Sequence, residues 1–372
     1  MKRKAMIKNL FWILPLLVLM SISLLVMYHA QFITETYANH FTKQCLWFGI
    51  GILLLVFSFL IQPQKLFRFS FLLYLVNILL LVLVLFIGKD ANGSKAWFDL
   101  KYFTFQPSEF MKLSYTLFLA HFVARQKPKT WFDELKFLFI VFIIYIIPSV
   151  LVFLEPDTGA ILFFTVITFA ILAFSALRKR WLVLLSLIFL AIVGAFFYCY
   201  FFQKDFLIQF IGTTFFYRVD RLLNFRSGMQ IENAMIAIGS APFFRFSLTE
   251  TGIYIPEAPT DFAFALTSNV LGIFGNVLIL LSFLIFDFAL ISICKKTTKK
   301  EERLFVIAFT WMFITSQVIN ISMNLGLFPI IGIPLPFVSY GGSSTIVLFL
   351  FLAILLSFQR KRSRKKRDKF SS

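Results

Sequence analysis

Residues 331–344 read IGIPLPFVSYGGSS and lie between two long apolar runs. Pro334, Pro336 and three glycines fall within these 14 positions. Proline removes a backbone donor and glycine weakens helices, so this stretch is predicted to leave the helical conformation that its neighbours favour. Non-helical backbone near a membrane persists only where protein or a water-filled cavity satisfies its polar groups. The stretch therefore predicts a membrane protein with an ordered, non-helical segment beside its helices.

Composition supports a polytopic membrane protein. Of the 372 residues, 59% are hydrophobic and 15% are charged, whereas soluble domains have about 45–50% apolar and about 25% charged residues. Apolar runs of roughly 18 residues or more can cross about 30 Å of hydrocarbon as helices. We therefore expect an all-α protein with about ten transmembrane helices, of which the eighth is long enough to be tilted or broken. The predicted spans cover residues 10–28, 45–62, 68–88, 108–124, 136–154, 159–177, 181–203, 263–294, 303–326 and 343–359.

Basic residues predict the orientation of the chain. Lys and Arg concentrate in alternate connectors, including residues 295–303 (KKTTKKEER), and in the tail. Because cytoplasmic loops are enriched in these residues, both termini are placed in the cytoplasm and the long loop at about 204–262 outside. We expect one integral-membrane domain over residues 1–359 and a basic cytoplasmic tail over 360–372. This clustering argues against nucleic-acid binding despite the net charge of +18, and the tail could contact membrane lipids.

The segment FQPSEFMKL opens the fourth predicted span on the outer side. Pro107 suits the first helical turn, where its missing N–H costs nothing. Glu109 and Lys112 are three residues apart, so they lie on one face of the helix and can pair. Ionisable groups at the mouth of an apolar helix are costly and usually functional. An ion pair that only fixes the depth of the span is the alternative.

Two further outer connectors carry candidate site residues. Asp157, in EPDTG, is placed to cap the next helix or to contribute to a site. Arg218 and Arg221 in the long loop would present two guanidinium groups on one side of a helix, an arrangement that suits phosphate oxygens. Anchoring to lipid headgroups is the alternative for the arginines. Apolar residues at helical spacing follow them and predict a helix at the membrane surface.

Asp261 directly precedes the eighth span, in the segment PTDFAFAL. A carboxylate at the boundary between water and hydrocarbon loses solvation, so its pKa should rise. A raised pKa suits a general base, provided that the carboxylate reaches the proton that it removes. Asp before a helix is also a common cap, and the motif alone leaves both roles open.

These segments together resemble the polytopic shape, elongation, division and sporulation glycosyltransferases, which include RodA, FtsW and SpoVE. The matching pieces run from residue 93 to residue 344 in the family's order. They are GSKAWF with Trp97, FQPSEFMKL, EPDTG, YRVDR, PTDFAFA and NLGLFPIIGIPLPFVSYGGSS. The ten predicted spans and the long loop between spans seven and eight also fit the family.

The resemblance implies a peptidoglycan glycosyltransferase of the bacterial cytoplasmic membrane, with an active site that faces outward. Such an enzyme joins lipid II units, and a class B penicillin-binding protein is the implied partner. Asp261 would remove the proton of the acceptor 4-hydroxyl, and a polyprenyl pyrophosphate would leave. The implied supporting residues are Trp97, Glu109, Lys112, Asp157 and Arg218, to which the sequence adds Arg221 and Ser343. No cofactor is certain; a divalent cation such as Mg or Mn could assist, but no ligand cluster identifies one.

The chain departs from the family pattern at two places. Residues 241–247 read APFFRFS where the family usually has a glycine-rich run, and Asn269 and Val270 stand where a Glu pair is usual. These differences suggest a diverged member and leave its role in cell shape, division or sporulation open. A lipid II flippase and an inactive scaffold of the cell-wall synthesis complex are the alternative functions.

Overall fold

The computed structural model describes residues 12–91, 94–101, 103–213, 216, 220, 228–249 and 252–371. Helices make up most of this part of the chain. They are α1 (Ile13–Ala30), α2 (His40–Val56), α3 (Pro63–Arg68), α4 (Ser70–Ile87), α5 (Pro107–Arg125), α6 (Trp131–Leu154), α7 (Thr158–Ala173), α8 (Lys179–Phe202), α9 (Lys204–Ile211), α10 (Met229–Gly239), α11 (Ala263–Lys296), α12 (Lys300–Asn324) and α13 (Gly342–Ser371).

The helices confirm the predicted multi-pass membrane architecture. In the described part of the chain, eight helical segments are long and apolar enough to cross a membrane. Helices α5 and α7 overlap the two remaining predicted spans but are more polar or shorter. The backbone of α13 continues to Ser371, so the segment predicted as a basic tail is helical over nearly all of its length.

Phenylalanine packing forms much of the interior around α12. Phe305, Phe309 and Phe313 are fully buried along this helix. The ring of Phe309 stacks on that of Phe351 in α13 with centroids 4.8 Å apart, and Phe313 lies 4.9 Å from Phe286 of α11. Stacked and edge-on rings at these distances add specific geometry to the burial of apolar area. The side chains of α8, by contrast, are almost all exposed, as expected for a peripheral helix facing lipid.

The connector between α4 and α5 contains a small antiparallel sheet that the sequence did not predict. Its strands are β1 (Lys89–Ala91), β2 (Ser94–Asp99) and β3 (Thr104–Phe105), in the order β1-β2-β3. Lys89 lies opposite Trp97 in the register. Strands of two to six residues contain too little alternation to be recognised from a single sequence.

Helix α11 is broken, as its predicted length suggested. Gly272 has φ 69° and ψ −166°, and the residues around it pair with residues 242–247 of the preceding segment. Ile273 N donates to Pro242 O at 3.0 Å, and Ser247 N donates to Val270 O at 3.0 Å. The incoming segment thus satisfies backbone groups that the break would otherwise leave unpaired.

We expect Gly272→Ala to destabilise the fold by about 2 kcal/mol or more, because its φ and ψ are accessible essentially only to glycine. A Cβ at this position would also lie 2.4 Å from Pro242 O. Thermal unfolding of the purified protein measures the effect. Gly194→Ala in α8 is the matched control, since a Cβ there meets nothing within 4 Å. Equal melting temperatures for the two variants would contradict the prediction.

Candidate active site

The connectors at one end of the helix bundle, which the sequence analysis predicts to lie outside, enclose a cavity of about 1070 Å³. This volume lies just above the usual range for ligand sites, which measure about 300–1,000 Å³. Six residues singled out in the sequence line the cavity together, although they come from four separate connectors: Trp97, Glu109, Lys112, Asp157, Asp261 and Ser343. Arg218 and Arg221 lie outside the described residues.

The backbone of Asp261 is held by hydrogen bonds from both directions. Its N–H donates to Glu257 O at 3.1 Å within a tight turn. Its carbonyl accepts from the side-chain amides of Asn320 at 2.9 Å and Asn324 at 3.1 Å, both on α12 and both fully buried. These bonds fix the residue just before the start of α11 without using its carboxylate.

The carboxylate of Asp261 is only partly exposed, and it lines the cavity. Desolvation by burial raises its pKa to about 7, and the nearby charge of Glu257 adds to the effect. The direction confirms the sequence-based expectation for a carboxylate at this boundary. A carboxylate with a pKa near neutrality can accept and release a proton under physiological conditions.

Glu109 and Lys112 form the predicted ion pair. Lys112 Nζ lies 2.7 Å from Glu109 Oε1, and both side chains are nearly buried. Lys112 Nζ also lies 4.6 Å from the ring centroid of Phe163 on α7. The charge of Lys112 is therefore largely neutralised at the wall of the cavity.

Asp157 caps the following helix, which is one of the two roles that the sequence left open. One carboxylate oxygen accepts from Ala160 N at 3.1 Å and caps α7. The other accepts from Gln106 Nε2 at 3.1 Å and from Ser108 Oγ at 2.9 Å. Asp157 thereby joins the start of α7 to the start of α5 beside the cavity.

The stretch at residues 331–344 forms one wall of the cavity. Ser343 Oγ accepts from Gln106 N at 3.0 Å, which attaches the start of α13 to the start of α5. Tyr340 N donates to Pro259 O at 2.8 Å, next to the turn that carries Asp261. The Cβ of any larger residue at Gly159 would lie 3.0 Å from Ile331 O, so this glycine permits close approach of the wall.

Several cavity residues were missed in the sequence. Lys43 and Trp47 lie one turn apart near the start of α2, and Lys101 follows β2. Lys89 Nζ pairs with Asp99 at 2.8 Å. The ammonium groups of Lys43 and Lys101 form no ion pair among the described residues, although the backbone N–H of Lys101 donates to Asp99 Oδ1 at 3.0 Å. A lysine at the mouth of an apolar helix was the available signal for Lys43. Within the described ranges, no group of three His, Cys, Asp or Glu residues could hold a metal ion.

The helices and the shared cavity define a multi-pass membrane protein with a polar site at one end of its helix bundle. The family profile described as "Cell cycle protein", for FtsW, RodA and SpoVE, matches residues 4–364. The chain therefore belongs to the FtsW/RodA/SpoVE family.

Curated relatives and solved structures agree with this assignment. Stage V sporulation protein E of Bacillus subtilis is 31% identical, over 95% of this chain and 97% of that protein. The peptidoglycan glycosyltransferase MrdB of Helicobacter pylori J99 is 31% identical, over 92% and 87%. A chain in a solved peptidoglycan synthase complex superposes with a TM-score of 0.75 at 25% identity, over 93% and 97%. RodA of Thermus thermophilus has the same fold, with a TM-score of 0.69 at 24% identity over 95% and 97%.

The buried Glu109–Lys112 pair can be tested by a double-mutant cycle. Glu109→Gln alone should destabilise the protein by about 3 kcal/mol, because it leaves the ammonium group buried without its partner. Adding Lys112→Met should restore part of that loss, because neither charge then remains. Thermal unfolding of the wild type, of Glu109→Gln, of Lys112→Met and of the double variant measures the coupling energy. Strictly additive effects of the two substitutions would contradict the predicted coupling.

Proposed function

We propose that this protein is a peptidoglycan glycosyltransferase that polymerises lipid II at the outer face of the bacterial cytoplasmic membrane. Relatives that match most of the chain are named peptidoglycan glycosyltransferases. The observation that carries the proposal is the position of Asp261. Its carboxylate, with a pKa near 7, lies in one cavity with an ion pair and uncompensated lysines.

Asp261 acts in this proposal as the general base. It removes the proton from the 4-hydroxyl of the acceptor sugar, and the oxygen then attacks the anomeric carbon of the donor. The bond from that carbon to the pyrophosphate oxygen breaks, and the undecaprenyl pyrophosphate leaves. The hydrogen bonds from Asn320 and Asn324 hold the base in place, so little reorganisation is needed when the proton moves.

Cations near the pyrophosphate stabilise the charge that develops on it. Lys112 is already paired with Glu109, so we assign it an orienting role together with Trp97 and Asp157. Lys43 and Lys101 line the same cavity, and their ammonium groups form no ion pair among the described residues, so they are better placed to bind the anion. Arg218 and Arg221 remain proposed as further anion ligands, and a divalent cation carried by the pyrophosphate would add to the same effect.

We also propose a class B penicillin-binding protein as the partner. The solved complex that this chain resembles is described as coordinating polymerization with crosslinking. A polymerase that works beside a transpeptidase has its active site on the outer side. The positive-inside distribution of Lys and Arg supports that orientation for the cavity.

Asp261→Asn should reduce glycan polymer formed from purified lipid II by about 100-fold or more, because the amide cannot accept the proton. In the wild type, kcat/KM should rise with pH and reach half its maximum near pH 7, since only the deprotonated carboxylate is active. Gel separation of labelled glycan strands, with the partner present, measures both. Equal polymer from wild type and variant would exclude the assigned base.

The same assay separates the alternative functions. A flippase would move labelled lipid II across a vesicle bilayer without forming polymer, and the movement would survive Asp261→Asn. A scaffold would bind the partner but form no polymer in the wild type either. Each of these outcomes would contradict the proposed polymerase.

Lys43→Gln should lower kcat/KM by about 10-fold or more, because it removes a charge-assisted hydrogen bond to the anion. Lys136→Gln is the matched control, since Lys136 is an exposed lysine on α6 that does not line the cavity. If both variants had the same activity, Lys43 would have no part in anion binding.

A further inference from the structure

The segment that departs from the family pattern places an aromatic cluster at the break in α11. Phe243, Phe244 and Phe246 are 55%, 67% and 69% exposed, and Phe274 of α11 is 37% exposed. The rings of Phe243 and Phe244 lie 4.6 Å apart, and those of Phe244 and Phe274 lie 4.9 Å apart. We call these four residues the Phe patch. Three of the rings contact one another and Phe246 is exposed on the same short segment, and exposed apolar side chains grouped in this way indicate that something other than water covers them.

The backbone beneath the Phe patch is held rigidly. Phe274 N donates to Phe243 O at 2.9 Å, and Arg245 N donates to Leu271 O at 3.4 Å. Ser247, at the end of the segment, is buried, and Arg245 is only partly exposed. The widely exposed side chains of residues 243–247 are therefore the phenylalanines alone, presented by a backbone fixed to α11.

The length of α11 places the Phe patch at a membrane boundary. From Ile273 to Lys295 the helix rises about 33 Å at 1.5 Å per residue. The hydrocarbon core is about 30 Å thick, and Lys295 and Lys296 mark the basic end of the helix. When that end lies at one membrane surface, the break and the Phe patch reach the edge of the opposite leaflet.

The Phe patch continues a surface that already faces lipid. Val277, Leu281 and Leu284 are 36%, 50% and 52% exposed on α11 and follow Phe274 towards the basic end. No polar boundary separates Phe274 from this exposed stripe, because the residues between them on that face are apolar. The acyl chains that cover the helix can therefore extend over the Phe patch.

We propose that the Phe patch inserts among the acyl chains of the leaflet on the side of the Asp261 cavity. The inserted segment anchors the chain that follows α10, and through its hydrogen bonds it anchors the outer part of α11. Lipid is thus the occupant that we assign to this surface. The proposal does not depend on the proposed catalytic activity.

A nitroxide label at position 244 tests the proposal in the full-length protein. Phe244→Cys is introduced after Cys45, Cys199 and Cys294 are replaced by alanine, and the protein is placed in phosphatidylethanolamine–phosphatidylglycerol vesicles. Collision rates with oxygen, which concentrates in lipid, are compared with those of the water-soluble complex NiEDDA. A label at Phe246→Cys provides an independent second position.

Two control labels define the reference values. Leu281→Cys, on the exposed stripe of α11, should favour oxygen, and Thr36→Cys, on the exposed turn after α1, should favour NiEDDA. We expect the ratio at positions 244 and 246 to match that at position 281. A ratio like that at position 36 would overturn the proposal. Low collision rates with both reagents would also overturn it, because they would show that protein covers the patch.

Discussion

The amides of Asn320 and Asn324 donate to the carbonyl of Asp261, and this interaction joins the buried helix α12 to the turn that carries the candidate base. Asn320 also donates to Ile333 O at 2.8 Å, so one side chain holds the turn and the wall at residues 331–344. Non-helical backbone near a membrane requires such partners, because lipid offers none. The cavity therefore depends on the hydrogen-bond donors that α12 supplies to the turn at Asp261 and to the wall at residues 331–344.

The charges around the cavity differ in how far they are compensated. Lys112 is matched by Glu109, and Lys89 is matched by Asp99. Lys43 has no such partner among the described residues, and burial keeps the pKa of Asp261 near 7. A reaction that moves a proton at one position and develops negative charge at another uses a carboxylate that can accept the proton and a cation that is not already paired. In the proposed function, the paired charges maintain the shape of the site and the uncompensated groups act on the substrate.

The break in α11 connects the site to the membrane. Gly272 allows the helix to open, and residues 242–247 fill the opening with hydrogen bonds. Residues 242–247, which carry three of the four Phe patch side chains, therefore support the first part of α11, which begins two residues after Asp261. In the proposed arrangement, anchoring in lipid and positioning of the base depend on one continuous set of backbone contacts.

Composition alone predicts the helical membrane fold, because a chain with 59% hydrophobic residues in long runs has few other ways to satisfy its backbone. Local spacing also determined the Glu109–Lys112 pair and the cap at Asp157, since both depend on residues within one helical turn. The sheet at residues 89–105, the asparagine contacts to Asp261 and the place of Lys43 in the cavity emerge only in the folded chain. The strands of the sheet are neighbours in sequence but are too short to show a recognisable alternation. The asparagine contacts and the cavity join residues that are distant along the chain, so local spacing does not encode them.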